Sequence, residues 1–484
     1  MCVVAVLVAA ASLIFGPDAA ADGAALHITR DVEPVGKALD LVVAQEARPE
    51  YLASRYVGLD AKALRHMAGR VSVDLPDRAA MTFDRVAFER RDNGVLWGGE
   101  ATGDAWAQAQ ITLVGDDAAG FVQTLDAFYV IRPLGGGVHG VHRVDADALG
   151  GCGVDSPAEN TIAADDDDDD SADDDTSDDD TGDDDDDDDD EAPVVDVMML
   201  YDAAAEAESG NIESEIRAAV DDTNLVYENS GVAHRIRLVH LQKVDYEERT
   251  DVLADKEALR IDGDGLVDEA HELRDDYGAD LVGMVVTSRV GLCGYADLPL
   301  TVNPANHVYA FSVTSLNCLL SWHLFAHELG HNFSARHDRF VDPTDNQPFA
   351  FNHGYVNLDE KFRTVMAYDQ QCNSSGFSCE VAPYFSNPDL TYNGHALGIP
   401  ETEAKPTDNR KTLNLAAPTL AGYRETVVDS TTSTTTTTTI PGSDDDDFDD
   451  HTDDPTPPPN TDDGGGSNDN FRVEDDESGC SCGC

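Results

Sequence analysis

Residues His327 to Asp338 read His-Glu-Leu-Gly-His-Asn-Phe-Ser-Ala-Arg-His-Asp, and this stretch constrains the fold more than any other part of the chain. On a helix His327 and His331 stand one turn apart on the same face, so both imidazoles can reach a single ion. Glu328 lies one step round and faces the position that such an ion leaves open. His337 is too far beyond His331 for the same helix to deliver it, so the chain must turn sharply after Phe333. Three histidines then suit a tetrahedral zinc ion, and the fourth position is left for water. His323 shares the helix face with His327 but lies one turn away from the ion.

The stretch resembles the zinc helix of the metzincin superfamily, HExxHxxGxxH, and the following Asp338 resembles its reprolysin (adamalysin) branch. Thr364-Val365-Met366-Ala367-Tyr368 resembles the Met-turn of the same superfamily. Val195 to Tyr201, Leu273 to Asp275, Tyr277 to Val282, Tyr384 to Pro388 and Tyr392 to Gly394 extend the likeness to one bacterial subgroup, the peptidyl-Asp metalloendopeptidases, over residues 193 to 426. The resemblance implies an α/β metzincin catalytic domain, a twisted mixed sheet with a zinc-binding helix and a Met-turn. It implies one catalytic Zn2+ held by His327, His331 and His337, Glu328 as general base, and Met366 as a packing floor. Protein or peptide substrates follow, with cleavage beside acidic residues implied by the subgroup's name. Tyr368 is a candidate oxyanion group or fifth ligand, because astacin-type members place a zinc-linked tyrosine at this spacing, and Asp338 is expected to fix the turn after His337. In the resembled family an edge strand of the sheet takes substrate backbone by strand addition, and Gly291 to Leu300 is the candidate here. The specificity wall is expected near Ala382 to Asn387. One position departs from the pattern: Ser334 replaces the glycine that adopts positive φ in the turn, a substitution that costs about 1 kcal/mol.

Four cysteines, Cys293, Cys318, Cys372 and Cys379, fall within that domain. Sequence leaves three connectivities open, of which proximity and the resemblance favour Cys293-Cys318 and Cys372-Cys379. Cys152 stands before the domain in Gly151-Cys152-Gly153-Val154, where a propeptide would end. Its Cys-Gly-Val resembles the reprolysin form of the cysteine switch, in which a thiolate takes the fourth zinc position and excludes water. The alternatives for Cys152 are a structural cysteine or a bond to the tail. Cys480, Cys482 and Cys484 crowd the end of the chain. That ending resembles the cysteine motif that precedes a membrane-sorting tail in some myxobacterial surface proteins, so attachment to the cell surface is the alternative to free release.

Charge divides the remainder. The net charge is −65, and Asp165 to Asp190 form one nearly unbroken acidic tract with a second between Asp444 and Glu477. Such tracts cannot bury apolar surface and repel themselves, so they are expected as disordered spacers, and nucleic acid is excluded as a partner. Calcium at these tracts, or at Asp262-Gly263-Asp264-Gly265, lacks the remaining ligand positions of a calcium loop, and the latter reads as an ordinary loop. Met1 to Phe15 are almost wholly apolar and precede Asp18-Ala19-Ala20-Ala21, which reads as a signal peptide with cleavage near Ala21, although the usual positive n-region is missing.

The expected organisation is therefore a signal peptide 1–21, a mostly β prodomain 22–158, an Asp-rich linker 159–192, the catalytic domain 193–426, and a Thr-, Asp-, Pro- and Gly-rich tail 427–484. In the prodomain, Ala109 to Thr124 should form a hairpin about Gly115-Asp116-Asp117, with Ala127 to Pro133 a further strand and Gly135-Gly136-Gly137 a further turn. In the catalytic domain the expected order is strand Val194 to Tyr201, helix Ile212 to Ser230, strand His234 to Val244, helix Leu266 to Tyr277, strand Leu281 to Thr287, an edge hairpin, and the zinc helix from Ser321 to Phe333. The chain so read is a secreted, monomeric zinc endopeptidase of bacterial origin, made as a zymogen. The competing readings are a surface binding module that keeps the metzincin fold without turnover, and an acidic metal-buffering surface protein.

Overall fold

The computed structural model describes residues 25–66, 68–155, 192–289 and 291–427. The signal peptide, the linker up to residue 191 and the tail from residue 428, with Cys2, Cys480, Cys482 and Cys484, lie outside the described residues.

Alternating apolar residues build the N-terminal half. Six strands, Met81–Arg91, Gly94–Ala101, Asp104–Val114, Asp117–Thr124, Ala127–Gly135 and Val138–Val144, are successive antiparallel neighbours in a ten-stranded sheet. Tyr51–Leu59 and Thr29–Asp31 extend it on one side, Arg70–Val73 and Leu26–His27 on the other. The tight connections fall at Gly115-Asp116 and at Gly135 to Gly137, where the glycines take positive φ. Ala127–Gly135 is buried along both faces, and its period of two says why. Phe121, Phe128, Val130 and Val144 enter a core shared with helix Ile212–Ser230 and with Phe325 and Leu329, whereas Val122, Tyr129, Ile131 and Val141 enter the sheet's own core. Ion pairs cross the same boundary: Arg132 meets Glu215 at 2.7 Å, fully buried, and the partly exposed Arg91 meets Asp221 at 2.7 Å.

The second sheet runs in the order Gly151–Asp155, Leu292–Asp297, Phe311–Ser315, Leu281–Val286, Val194–Tyr201, Arg235–Lys243. Neighbours are parallel except for Leu292–Asp297 against Phe311–Ser315, so the sheet is mixed. Its central strands are continuous apolar runs because both faces are covered. Helix Ile212–Ser230 starts where the Asn211 side chain accepts the Ser214 N–H and stops at Gly231 in the left-handed region.

Two helices depart from the expected order. The helix expected from Leu266 begins only at Glu269, because Gly263 and Gly265 turn the chain and donate their N–H groups to the Asp268 carboxylate. A helix at Val252–Arg260, capped by Asp251, lies where the apolar pattern singled out nothing. Gly151–Asp155, at the end of the N-terminal region, joins the second sheet by pairing with Leu292–Asp297.

Candidate metal centre and its cleft

Helix Leu324–Asn332 carries His327, Glu328 and His331. It starts later than its sequence suggests because Trp322 and His323 both take positive φ, which leaves His323 as the residue that caps the helix. The His323 ring turns away from the other histidines, with Nδ1 at 2.7 Å from Asp222 Oδ1 and Nε2 at 2.9 Å from Gln123 Oε1, so it is no part of the cluster. After Phe333 the chain reverses through Ser334, whose φ is 68°. Replacing Ser334 with glycine should raise the stability of the full chain by about 0.5–1 kcal/mol, read as a shift in the urea midpoint, since the positive φ penalty outweighs the added unfolded-state entropy.

The reversal brings His337 back to the helix. Its Nε2 lies 3.2 Å from His327 Nε2 and 3.0 Å from His331 Nε2, and the latter two are 3.1 Å apart. The proton positions follow from the second ring nitrogens: His327 Nδ1 meets the Val365 carbonyl and His331 Nδ1 the Ala335 carbonyl, each at 2.8 Å, so each must carry a hydrogen there. Their Nε2 atoms are then bare lone pairs aimed at one another. Burial holds all three rings neutral, lowering His327 to about 4 and the other two well below the usual range. Converging unprotonated nitrogens repel unless a cation sits between them, and tetrahedral zinc ligands at 2.0–2.1 Å are about 3.3 Å apart. The donor set therefore fits zinc.

Glu328 is fully buried beside this cluster, and burial pushes its carboxyl up to about 8. It fits only because residue 294 of the edge strand is glycine: a Cβ there would lie 2.2 Å from Glu328 Oε1. Gly151–Asp155 runs along that strand with Cys152 opposite Gly294. Cys152 Sγ lies 3.3 Å from Glu328 Oε2, and the sulfur and the three histidine nitrogens are all within 4.8 Å of one another. The Tyr368 hydroxyl accepts the Cys152 N–H at 2.8 Å and donates to the Cys152 carbonyl, while its ring stacks on His337 at 4.2 Å. Tyr368 therefore engages the backbone of residue 152.

Met366 is fully buried, with its sulfur 2.7 Å from where a Cβ on Gly330 would be, so glycine in the helix lets it approach. Asp338 accepts the N–H groups of Phe340 and Tyr368, each at 2.9 Å, and so ties the turn after His337 to residues 364–368. Cys293 is joined to Cys318, and Cys372 to Cys379. Val365 donates to the Tyr384 carbonyl at 2.9 Å, which sets the segment from Ala382 to Asn387 beside the cluster. One member of the cleft escaped sequence reasoning: Gly294 carried a weak signal, an isolated glycine within a strand pattern, which marks close approach.

Three neutral histidines, two of them on the helix that also carries a buried glutamate and the third returned by the turn after it, face the edge of a mixed sheet and define a metal-dependent hydrolase site. Residues 192–378 match the model of metallo-peptidase family M12. A peptidyl-Asp metalloendopeptidase of Xanthomonas campestris pv. campestris is 29% identical over 310 residues, 64% of this chain and 68% of that protein. The enzyme of that name from Stenotrophomonas maltophilia is 34% identical over 227 residues, 46% of this chain and 51% of the relative. The one from Pseudomonas fragi is 33% identical over 119 residues, 24% of this chain and 70% of the relative. This chain thus spans between about half and about two thirds of these relatives. It belongs to the reprolysin-like metallopeptidases of family M12 and is a metalloendopeptidase by class.

Proposed function

We propose that the protein is a secreted zinc endopeptidase that cleaves beside aspartate and is made as a zymogen blocked by Cys152. The reading rests above all on the convergence of Cys152 Sγ with the three histidine nitrogens. Residues 22–158 are in this reading the prodomain, whose last strand covers the cleft, 159–192 a linker in which proteolysis releases it, and 193–426 the catalytic domain. Its two disulfides fit an oxidising compartment. The preference for aspartate is taken from the names of the relatives.

His327, His331 and His337 would hold zinc, which when bound supplies Lewis acidity to a water and to the scissile carbonyl. Glu328, unpaired at Oε1, accepts the proton of the attacking water and returns it to the leaving amine. Leu292–Asp297 offers its backbone edge to an extended substrate once Gly151–Asp155 withdraws. Tyr368, freed from Cys152, keeps a hydroxyl near the histidines that can donate to the developing oxyanion. Met366 serves as the floor of a Met-turn beneath the ligands.

The test is hydrolysis of a quenched peptide library by the full chain after limited proteolysis of its linker. Cleavage should be lost on chelation and return with zinc, and the products should locate aspartate at the cut. One zinc per chain without any cleavage would favour a non-catalytic binding module instead.

A further inference from the structure

Two arginines act electrostatically on the three histidines. The Arg336 charge acts on His331 and His337, and two of its nitrogens are committed, Nε to the Gln347 carbonyl and Nη1 to Asp342, each at 2.8 Å. The Arg363 charge acts on His327 from strand Phe362–Arg363, directly before the segment that carries Met366 and Tyr368. It is far less committed. Nη1 donates to the Ala367 carbonyl at 2.6 Å, but Nε is buried with no acceptor among the described residues. The nearest carboxylate, Asp369, stands 3.9 Å from Nε, beyond hydrogen-bond reach. Asp369 Oδ1 accepts the Cys379 N–H at 2.7 Å, and its Oδ2 is buried without a hydrogen-bond partner among the described residues. A guanidinium has five N–H donors, and a buried charge left short of acceptors is costly. Burial accordingly holds Arg363 below the usual arginine range despite its acidic neighbours. Its side chain is 14% exposed while Nε itself is enclosed, so the guanidinium is reached from outside only on the side away from Nε.

The approach to Arg363 is taken by the segment that carries Cys152. Asp147 accepts the Ser378 hydroxyl at 2.8 Å, on the loop closed by Cys372 and Cys379. Its carboxylate acts on the Arg363 charge and faces Asp369. From there the chain passes Gly150 and Gly151, opposite Leu292, to Cys152 at the histidines. One segment thus sets a carboxylate near a buried, under-bonded arginine and a thiol at the metal cluster. Lys361, two residues earlier, is exposed over the Phe377 ring and has no comparable enclosure.

We propose that Arg363 is the specificity-determining residue that recognises the acidic side chain of the substrate, and that Asp147 covers it in the unprocessed chain. The assignment rests on the peptidase reading above. An incoming carboxylate pairs with the exposed side of this under-bonded guanidinium, a charge-assisted contact that an amide cannot equal.

The experiment compares two quenched peptides that differ only in aspartate or asparagine at the cleaved position, using the linker-processed full chain. The wild type should favour the aspartate peptide in kcat/KM by a factor on the order of 10², and Arg363→Gln should bring that ratio close to one. Arg363→Lys, which keeps the charge and loses the fork, should give an intermediate ratio and serves if the glutamine variant does not fold. If Arg363 only supports the Ala367 carbonyl, both peptides slow together and the ratio persists, which overturns the assignment. A wild type that cleaves both peptides equally overturns it too, with the peptidase intact. Cleavage of neither peptide removes the peptidase reading and this assignment with it.

Discussion

Replacing Glu328 with alanine should lower kcat on any peptide substrate by about 10³-fold or more while the chain keeps one zinc ion per molecule. The expectation follows from where the side chain stands. Glu328 stands outside the group of converging ligand atoms, whose nitrogens belong to His327, His331 and His337. Its Oε1 is buried without a partner, packed against Gly294 of the edge strand. A carboxylate kept dry and unpaired is a strong base, as the rise to about 8 from burial indicates, and a divalent cation nearby would draw that value back down. Initial rates and elemental analysis on the same preparation separate chemistry from binding. If the variant loses metal in proportion to activity, Glu328 is a structural support and the assigned base is wrong. If activity persists within tenfold, another group takes the proton.

The reach of sequence reasoning differs from one element to the next, for physical reasons. His327, Glu328 and His331 were legible because the helix repeat alone sets them side by side, and the reversal after Phe333 was legible because no helix could bring His337 back. The first turn of that helix was not, since Trp322 and His323 adopt left-handed backbone conformations that their side chains do not announce. Strands such as Val194–Tyr201 were legible as apolar runs. The burial of Ala127–Gly135 on both faces was not, because its second face is covered by a helix more than eighty residues downstream, at Ile212–Ser230. The same distance hides the cleft: Gly294 beneath Glu328, Tyr368 on the backbone of Cys152, and Asp147 near Arg363 are contacts that only the fold creates. The family likeness covered residues 193 to 426 and was silent on how far the N-terminal sheet shares its core with them.

Replacing Cys152 with alanine should raise peptide hydrolysis by the unprocessed chain on the order of 10²-fold above the wild-type zymogen, since about 2.7 kcal/mol of lost blocking contact corresponds to that factor. Two features of the cleft bear on the size. Cys152 Sγ lies 3.3 Å from Glu328 Oε2, and burial together with that carboxylate raises the Cys152 pKa well above the ordinary thiol value. A neutral thiol blocks weakly, so the block depends on a cation that draws the proton off the sulfur, and Glu328 is placed to receive it. Without the sulfur, the fourth position and the Glu328 carboxylate are both released. The gain stops short of the processed enzyme, because Gly151–Asp155 still pairs with Leu292–Asp297 and Tyr368 still holds the backbone of residue 152. Tyr368→Phe in the unprocessed chain removes those side-chain hydrogen bonds but leaves the thiol in place, and should give a much smaller rise. Rates must be read while mass analysis shows the chain intact, so that self-processing does not mimic release. If intact Cys152→Ala binds zinc and stays at the wild-type background, the strand and not the sulfur is the lock.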